Sequence, residues 1–309
     1  MNKGYIKIVF CLLNMLACII DNVLASGWNT GHCAIQKPYL FSTNRNNTAT
    51  RKQIPQNNPN SSFQINKKGN DLSCTNSVEI KNANRIMDEA STILQQFASN
   101  NDDYNLFQAY GDDVFLYFKN NVNPDIGKLN FKIPVPDAYE DIINMLWDPN
   151  APSNYFDDFV NGKIVRIYDP NLVMIQHRYK CRGQSEQIYF HALFKKAQIS
   201  EDTTIIVMAS ANINDRYPLN KEYKNDIITS ANSFKADIHS DDDIRNGKLI
   251  KMFVRMSGFV IKKEYRYIDI THIDSVNFNC HYTPRIDVQN AKAMKMLNVV
   301  KLKQIFDKE

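Results

Sequence analysis

The chain is short of glycine, with ten in 309 residues. That leaves little material for the Gly-rich loops that cradle phosphates, and neither a Walker loop nor G-x-G-x-x-G occurs. A G-x-S-x-G elbow and an H-E-x-x-H helix are absent as well, which removes the usual signatures of hydrolases and zinc peptidases. No two cysteines are spaced as C-x-x-C, so a structural zinc site is not expected. An excess of one charge is also missing. The 37 basic and 33 acidic residues leave a net charge of +4, too weak to argue for nucleic acid. Asp241-Asp242-Asp243 lacks the glycine and distal glutamate of a calcium loop and reads as a solvated loop or helix N-cap. His177 and His191 fall inside strand patterns, where a structural role is the default. The expectation is a protein without catalytic residues, metal or cofactor.

What is present begins with a leader. Lys3 and Lys7 precede an apolar run from Ile8 to Ile20, and Val23-Leu24-Ala25 suits a signal peptidase. The run is shorter than the ~20 residues a spanning helix needs. Residues 1–25 therefore read as a secretory signal peptide. Residues 26–76 are rich in Asn, Ser, Thr and Gln and are interrupted by Pro38, Pro55 and Pro59. Such a stretch buries too little apolar surface to offset its ordering entropy and reads as a disordered spacer. It carries two N-glycosylation sequons, at Asn46 and Asn60. After cleavage four cysteines remain: Cys33, Cys74, Cys181 and Cys280. Three pairings are open; a Cys181–Cys280 disulfide is permitted in an oxidising compartment, and free buried thiols are the alternative.

From residue 77 onward the pattern is that of a folded domain, 77–309. Ile80, Ala83, Ile86, Met87, Ala90, Ile93, Leu94 and Phe97 recur at helical spacing. Strand patterns follow at 114–119 and 128–133, then a helix at 138–147 with Asp137 as its N-cap. A block of strands fills 163–214: Lys163–Tyr168, Leu172–Tyr179, Ile188–Phe194 and Thr203–Ala209. Their turns are short, so neighbours run antiparallel. Residues 218–243 read as a loop, and 249–261 with 265–273 as a hairpin. Residues 285–306 form a last helix pattern carrying Lys292, Lys295, Lys301 and Lys303. This is an α+β layout, a curved antiparallel sheet closed by helices. The strands are apolar on both faces, whereas a sheet with one wet face alternates cleanly. Something must cover the second face. Either Met174, Gln176 and Arg178 or Val173, Ile175 and His177 point into it.

The strings Trp147-Asp148-Pro149, Lys163 through Gln176, Ile199-Ser200-Glu201-Asp202-Thr203-Thr204 and Ser210-Ala211-Asn212-Ile213-Asn214-Asp215 resemble the fam-a proteins of malaria parasites. Arg85 through Ala90 and Asp242 through Lys248 fit the same family. The likeness covers about Ser77 to Ile273. The resemblance implies a START-like (StAR-related lipid-transfer) helix-grip fold: a curved sheet around a long C-terminal helix, with a lipid-sized cavity between. It implies binding and transfer of phospholipid, phosphatidylcholine being the expected class, carried as cargo and not as cofactor. It also implies secretion to the parasitophorous vacuole or the host erythrocyte. An R-x-L-x-E/Q/D export motif is not found at Arg51-Lys52-Gln53-Ile54-Pro55.

Lipid exchange needs a dry cavity, a few groups for the headgroup and a lid. The cavity candidates are Trp147, Tyr155, Phe156, Arg166, Tyr168, Met174, Gln176, Tyr189, His191, Met208, Met252, Met256, Met294 and Leu297. Among them the aromatic rings suit a choline-type ammonium. Arg166 suits a phosphate, or else pairs with an acid at an exposed strand edge. The methionines suit a pliable wall, or ordinary core packing. Lys292, Lys295, Lys301 and Lys303 make the last helix a candidate for docking on an anionic membrane. The expected partners are a phospholipid and, transiently, a membrane surface; no nucleic acid is expected, and the chain is expected to be a monomer. The rival reading is a secreted host-interface interaction protein that keeps the fold without transfer activity. A third, an enzyme on the same fold, lacks a nominated acid–base pair.

Overall fold

The computed structural model describes residues 72–119, 126–181, 186–219, 224–277 and 285–306. The leader, the sequons, nearly all of the spacer and Cys280 lie outside them.

The first helix, α1 (Ser77–Ser99), is capped by Asn76, whose side chain accepts from the Val78 and Glu79 amides. Order starts slightly earlier than the composition suggests. Ser73 bridges to Ile167, and the Cys74 amide donates to the Ile167 carbonyl at 2.8 Å. Three strands follow: β1 (Tyr104–Tyr110), β2 (Val114–Lys119) and β3 (Gly127–Ile133). The sequence pattern missed β1 because it is an edge strand, mostly exposed and without strict alternation. A second helix, α2 (Tyr139–Trp147), is led by a 3-10 turn, Pro136–Ala138. Ala138, not Asp137, occupies the N-cap position, and no side chain caps this helix. The proline-led turn carries Asp137 inside the first coil, where its charge meets the helix dipole instead.

The strand block is β4 (Phe159–Asp169), β5 (Leu172–Lys180), β6 (Gln187–Ser200) and β7 (Thr203–Ala209). After it come the short β8 (Ile213–Asn214), β9 (Ala236–Asp237) and β10 (Ile250–Lys251), with a one-turn helix α3 (Asp242–Arg245) before β10. The long hairpin is β11 (Phe253–Lys263) and β12 (Ile268–Asn277). The C-terminal helix pattern is divided into α4 (Arg285–Asn298) and α5 (Lys301–Phe306). The main sheet runs β1-β2-β3-β12-β11-β7-β6-β5-β4, antiparallel throughout that path, with β10 added parallel to β6.

Each face of this sheet has its own apolar core. The inner core joins Leu129, Phe131, Ile175, Phe190, Phe194, Phe259 and Ile270 to α2, α4 and α5. The outer core joins Met174, Leu193, Ile205, Val207, Met256 and Ile273 to Ile86, Met87, Ala90 and Leu94 of α1. A large side chain so buried contributes about 1.5–3 kcal/mol. On β5 the odd residues Val173, Ile175 and Tyr179 join the inner core, while Leu172 and Met174 join the outer one. The open choice between the two β5 sets is thereby decided: the Val173–Ile175–His177 set faces the C-terminal helices.

Two backbone contacts set the geometry. Gly162 lies so close to the α2–β4 connection that a β-carbon would sit 2.0 Å from the Pro149 carbonyl oxygen, and its amide donates to Asn150 Oδ1 at 2.9 Å. Lys128, fully buried, donates from Nζ to the Ala98 carbonyl (2.6 Å), the Asn100 carbonyl (3.0 Å) and Asn101 Oδ1 (2.8 Å), closing the C-terminus of α1. Lys128→Met should remove three hydrogen bonds from the end of α1 and lower stability by about 1–3 kcal/mol in urea unfolding. A loss under 0.5 kcal/mol would refute this capping role.

Candidate functional site

A cavity of about 50 Å³ lies between the inner face and α4. Tyr155 and Phe156 reach it from the turn after α2, Tyr179 from β5, Phe190 from β6 and Met208 from β7. Met252 and Val254 enter beside them, and Phe259 and Val276 come from the long hairpin. Lys295, Met296 and Val299 close it from the helix side. It is far smaller than the lipid-sized space the resemblance implies. About 50 Å³ is room for a water or two, whereas pockets for small-molecule ligands run to about 300–1,000 Å³. The reason is steric, since aromatic side chains converge from both sides of the gap.

The polar groups of the cavity gather at one pole. His272 Nδ1 donates to the Gly258 carbonyl at 2.9 Å, and its ring stacks on Phe259 at 4.4 Å. Burial pulls its pKa below the usual histidine range. Asp274 lies 3.8 Å from Lys292 Nζ, which is itself buried. Lys295 Nζ sits 4.9 Å from the centre of the Tyr179 ring and 5.2 Å from that of Phe156. Tyr155 packs edge-on against Phe156 at 4.6 Å, so the ammonium meets an aromatic box. Burial pushes both the Tyr155 and Tyr179 phenols upward.

The structure brings only part of the expected set together here. Tyr155, Phe156, Met208, Met252 and Lys295 line the cavity. Trp147 stacks on Phe194 at 4.6 Å, and Leu297 is buried in the same inner core, both off the lining. Met294 turns outward and is 56 % exposed. Tyr168, Met174 and Met256 belong to the outer core, across the sheet. Arg166 donates to Glu79 Oε1 at 2.6 Å and to the Asp237 carbonyl at 2.5 Å, and Tyr168 donates to the same Glu79 oxygen at 2.8 Å. Arg166 thus pairs with an acid from a sheet-edge strand and does not reach the cavity. A strand's side chains alternate between faces, so one wrong parity displaced this whole group.

The four lysines do not form a solvated row. Lys292 pairs with Asp274, and Lys295 fills the aromatic box. Lys301 reaches the Tyr155 carbonyl (3.4 Å) and Asp157 (3.5 Å), and Lys303 pairs with Asp113. Cys181 is described, but its suggested partner Cys280 is not. The sequence reading missed Tyr179, Phe190, Phe259, His272, Asp274 and Met296. The signal for Tyr179 was there: Gln176 and Arg178 are the polar members of β5, so their odd-numbered neighbours should face the drier side.

Gln176, Tyr189 and His191 belong to a second polar cluster on the outer face. His191 is buried between Gln176 Oε1 (3.0 Å from Nε2) and Asp215 Oδ2 (3.2 Å from Nδ1). Tyr189 donates to Asp215 Oδ2 at 3.0 Å, and Lys251 Nζ donates to Asp215 Oδ1 at 2.8 Å. Burial works to raise the Asp215 carboxyl, but His191 and Lys251 together hold it well below the usual range. Burial also pulls His191 down, against Asp215. The cluster continues outward: Gln176 donates to Asp241 at 3.3 Å, and Asp241 takes Lys163 at 2.7 Å and Arg178 at 2.6 Å. Asp243 takes the other end of Arg178 at 2.6 Å. These residues floor an open groove of about 620 Å³. Its charges are paired with one another, and they strap the α3 loop onto β4 and β5. Asp241 holds the N-cap position of α3, as one of the two expected readings had it, and with Asp243 it is also an ion-pair partner. Among the described residues no cluster of His, Cys, Asp or Glu is placed to hold a metal, and no helix is long and apolar enough to cross a membrane.

The architecture is that of a START-like helix-grip fold, an antiparallel curved sheet with helices on both faces and a C-terminal helix over the cavity. Solved structures share it, two of them as follows. The crystal structure of human STARD10 matches with a TM-score of 0.51 and 14% identity, covering 70% of this chain and 80% of that one. Human StAR-related lipid transfer protein 5 matches with a TM-score of 0.52 and 9% identity, covering 75% and 97%. At such identities the likeness is one of fold. No protein-family model and no curated protein sequence matches the chain.

Two outcomes follow from these polar groups. Asp215→Asn removes the buried carboxylate that takes Tyr189, His191 and half-buried Lys251 and should cost about 3–5 kcal/mol; unchanged thermal unfolding would contradict the pairing. Burial lowers His177 to about 3, and only its protonation in the unfolded chain responds near pH 6. Its folded pKa lies below its unfolded one, so stability falls as pH drops from about 6.5 toward 3, by up to about 1.4 kcal/mol per unit. His177→Phe should flatten that acid limb in unfolding measured from pH 7 to 4.

Proposed function

We propose that the chain binds a phospholipid between the inner sheet face and the C-terminal helices, and moves it between membranes. Phosphatidylcholine is the expected class, held as cargo with no cofactor. The observation that carries this reading is the cavity itself: an aromatic and aliphatic lining with its polar groups confined to one pole, beneath a helix pair held largely by side-chain contacts. Acyl chains suit the lining, and the Lys295–Asp274 pole suits a headgroup. The fold is shared with a protein titled a lipid transfer protein, which favours the same use. The leader in residues 1–25 and the fam-a likeness support secretion and an extracellular or host-cell destination.

Loading requires α4 and α5 to lift, because about 50 Å³ holds no lipid. The contacts to be broken are the apolar packing of Met296, Leu297, Val299 and Leu302 and the ion pairs of Lys292 with Asp274, Lys301 with Asp157 and Lys303 with Asp113. An anionic bilayer surface supplies replacement partners for those lysines at the moment of release. Membrane contact on this reading accompanies opening and is transient.

The closed cavity also favours a second reading, a secreted interaction protein that keeps the fold without transfer activity. One experiment separates them. Full-length protein is recovered from the secretory route, its lipids are extracted, and mass spectrometry is read alongside transfer of fluorescent phosphatidylcholine between vesicles. Cargo at about one phospholipid per chain, with protein-dependent transfer, is expected. Protein free of lipid and inert in transfer would overturn the proposal in favour of the second reading.

A further inference from the structure

The two edges of the main sheet are built differently. At one edge lies β4. Its register with β5 shifts at three points, Lys163 and Arg166 stand on it in ion pairs, and Ser73 and Cys74 bridge to its Ile167. Bulges, charges and a covering segment guard a sheet edge against foreign strands. At the other edge lies β1, Tyr104-Asn105-Leu106-Phe107-Gln108-Ala109-Tyr110, whose only sheet neighbour is β2. This strand contains no proline and no charged residue. Its guard is a single bulge at Phe107, where the register with β2 shifts. Leu106 is 55 % exposed opposite Tyr117, and Phe107 is 38 % exposed with its ring edge-on to Phe118 at 5.1 Å. An edge of this kind offers unpaired backbone groups and apolar side chains to an added strand.

The charges at the ends of β1 select the occupant. Asp102 and Asp103 precede the strand, and Asp112 and Asp113 follow it. Asp103 pairs with Lys119, and Asp113 with Lys303. Asp102 and Asp112 are exposed, and neither carboxylate meets a cation among the described residues. We propose that the open edge of β1 takes an extended segment of a partner protein, apolar at its centre and carrying Lys or Arg at both ends. The added strand completes backbone hydrogen bonds along the edge, its apolar side chains pack on Leu106 and Phe107, and its basic ends meet Asp102 and Asp112. A second copy of this chain is a poorer occupant. Antiparallel pairing of β1 with itself, centred on Phe107, sets Asp102 opposite Asp112 of the other copy at both ends, and like charges directly opposite are destabilising. An anionic bilayer is repelled by the same carboxylates. The proposal stands apart from the phospholipid reading and holds whether or not cargo is carried.

The probe is a fluorescent synthetic peptide, Lys-Lys-Thr-Val-Thr-Val-Thr-Lys-Lys, titrated into full-length protein beside a control peptide in which every lysine is glutamate. Wild type should bind the lysine peptide and not the glutamate one, and binding should weaken as salt rises. Hydrogen exchange at residues 104–110 should slow when the lysine peptide is added. Leu106→Lys sets a like charge on the edge and should weaken binding by about tenfold or more. Asp102→Asn with Asp112→Asn leaves the backbone edge intact and should weaken binding about three- to tenfold, the scale of two exposed ion pairs. These three side chains are exposed, so both variants should melt as wild type does. Failure of the lysine peptide to bind, equal binding of the two peptides, or binding that neither variant weakens overturns the proposal. A dimer in light scattering that Leu106→Lys disperses overturns it in favour of a second copy.

Discussion

The structure depends on covering both faces of one sheet whose central strands carry large apolar groups on each side. Met174, Leu193 and Val207 press outward against α1, while Ile175, Phe190 and Phe194 press inward toward α2 and α4. Neither face can be left to water, so the fold is a three-layer arrangement in which each helix is obliged to stay on its side. Both covers combine apolar packing with ion pairs. The outer cover is α1, packed through Ile86, Met87, Ala90 and Leu94, paired through Glu79 and Asp88, and closed at its end by Lys128. The inner cover is a helix pair packed through Met296, Leu297, Val299 and Leu302, with ion pairs at Asp274, Asp157 and Asp113.

Buried polarity divides along the same line. On the outer face, Asp215 gathers His191, Tyr189 and Lys251 into a network whose members satisfy one another, and its outer end at Asp241 and Asp243 straps a loop to β4 and β5. Its polar groups serve architecture. On the inner face, the Lys295 ammonium lies over the Phe156 and Tyr179 rings. Rings hold a cation without fixing it in one hydrogen-bond geometry.

Much of the architecture was legible in the sequence, and the errors have one source. The apolar spacing from Ile80 to Phe97 identified α1, and the turns around Pro170 and Asp202 identified the antiparallel block. The run of lysines after residue 285 identified a helix, although it divides near Val299. Of the expected lipid-site residues, Tyr155, Phe156, Met208 and Met252 lie at the inner cavity, whereas Tyr168, Met174 and Met256 lie in the outer core and Arg166, Gln176, Tyr189 and His191 in polar contacts away from it. Side-chain direction in a strand has a period of two, so a doubly apolar strand offers no internal mark of which parity faces which layer.

What the sequence determined by itself is the class of fold and the need for two covers, because apolar periodicity, turn chemistry and strand length are local properties of the chain. What only the tertiary structure decided is which residues meet inside. The size of the cavity, the pairing of Lys292 with Asp274 and the seating of Lys295 between Phe156 and Tyr179 join groups more than a hundred residues apart or set on different elements. No local pattern encodes such a meeting. It follows from how the sheet curves and how closely α4 can approach it.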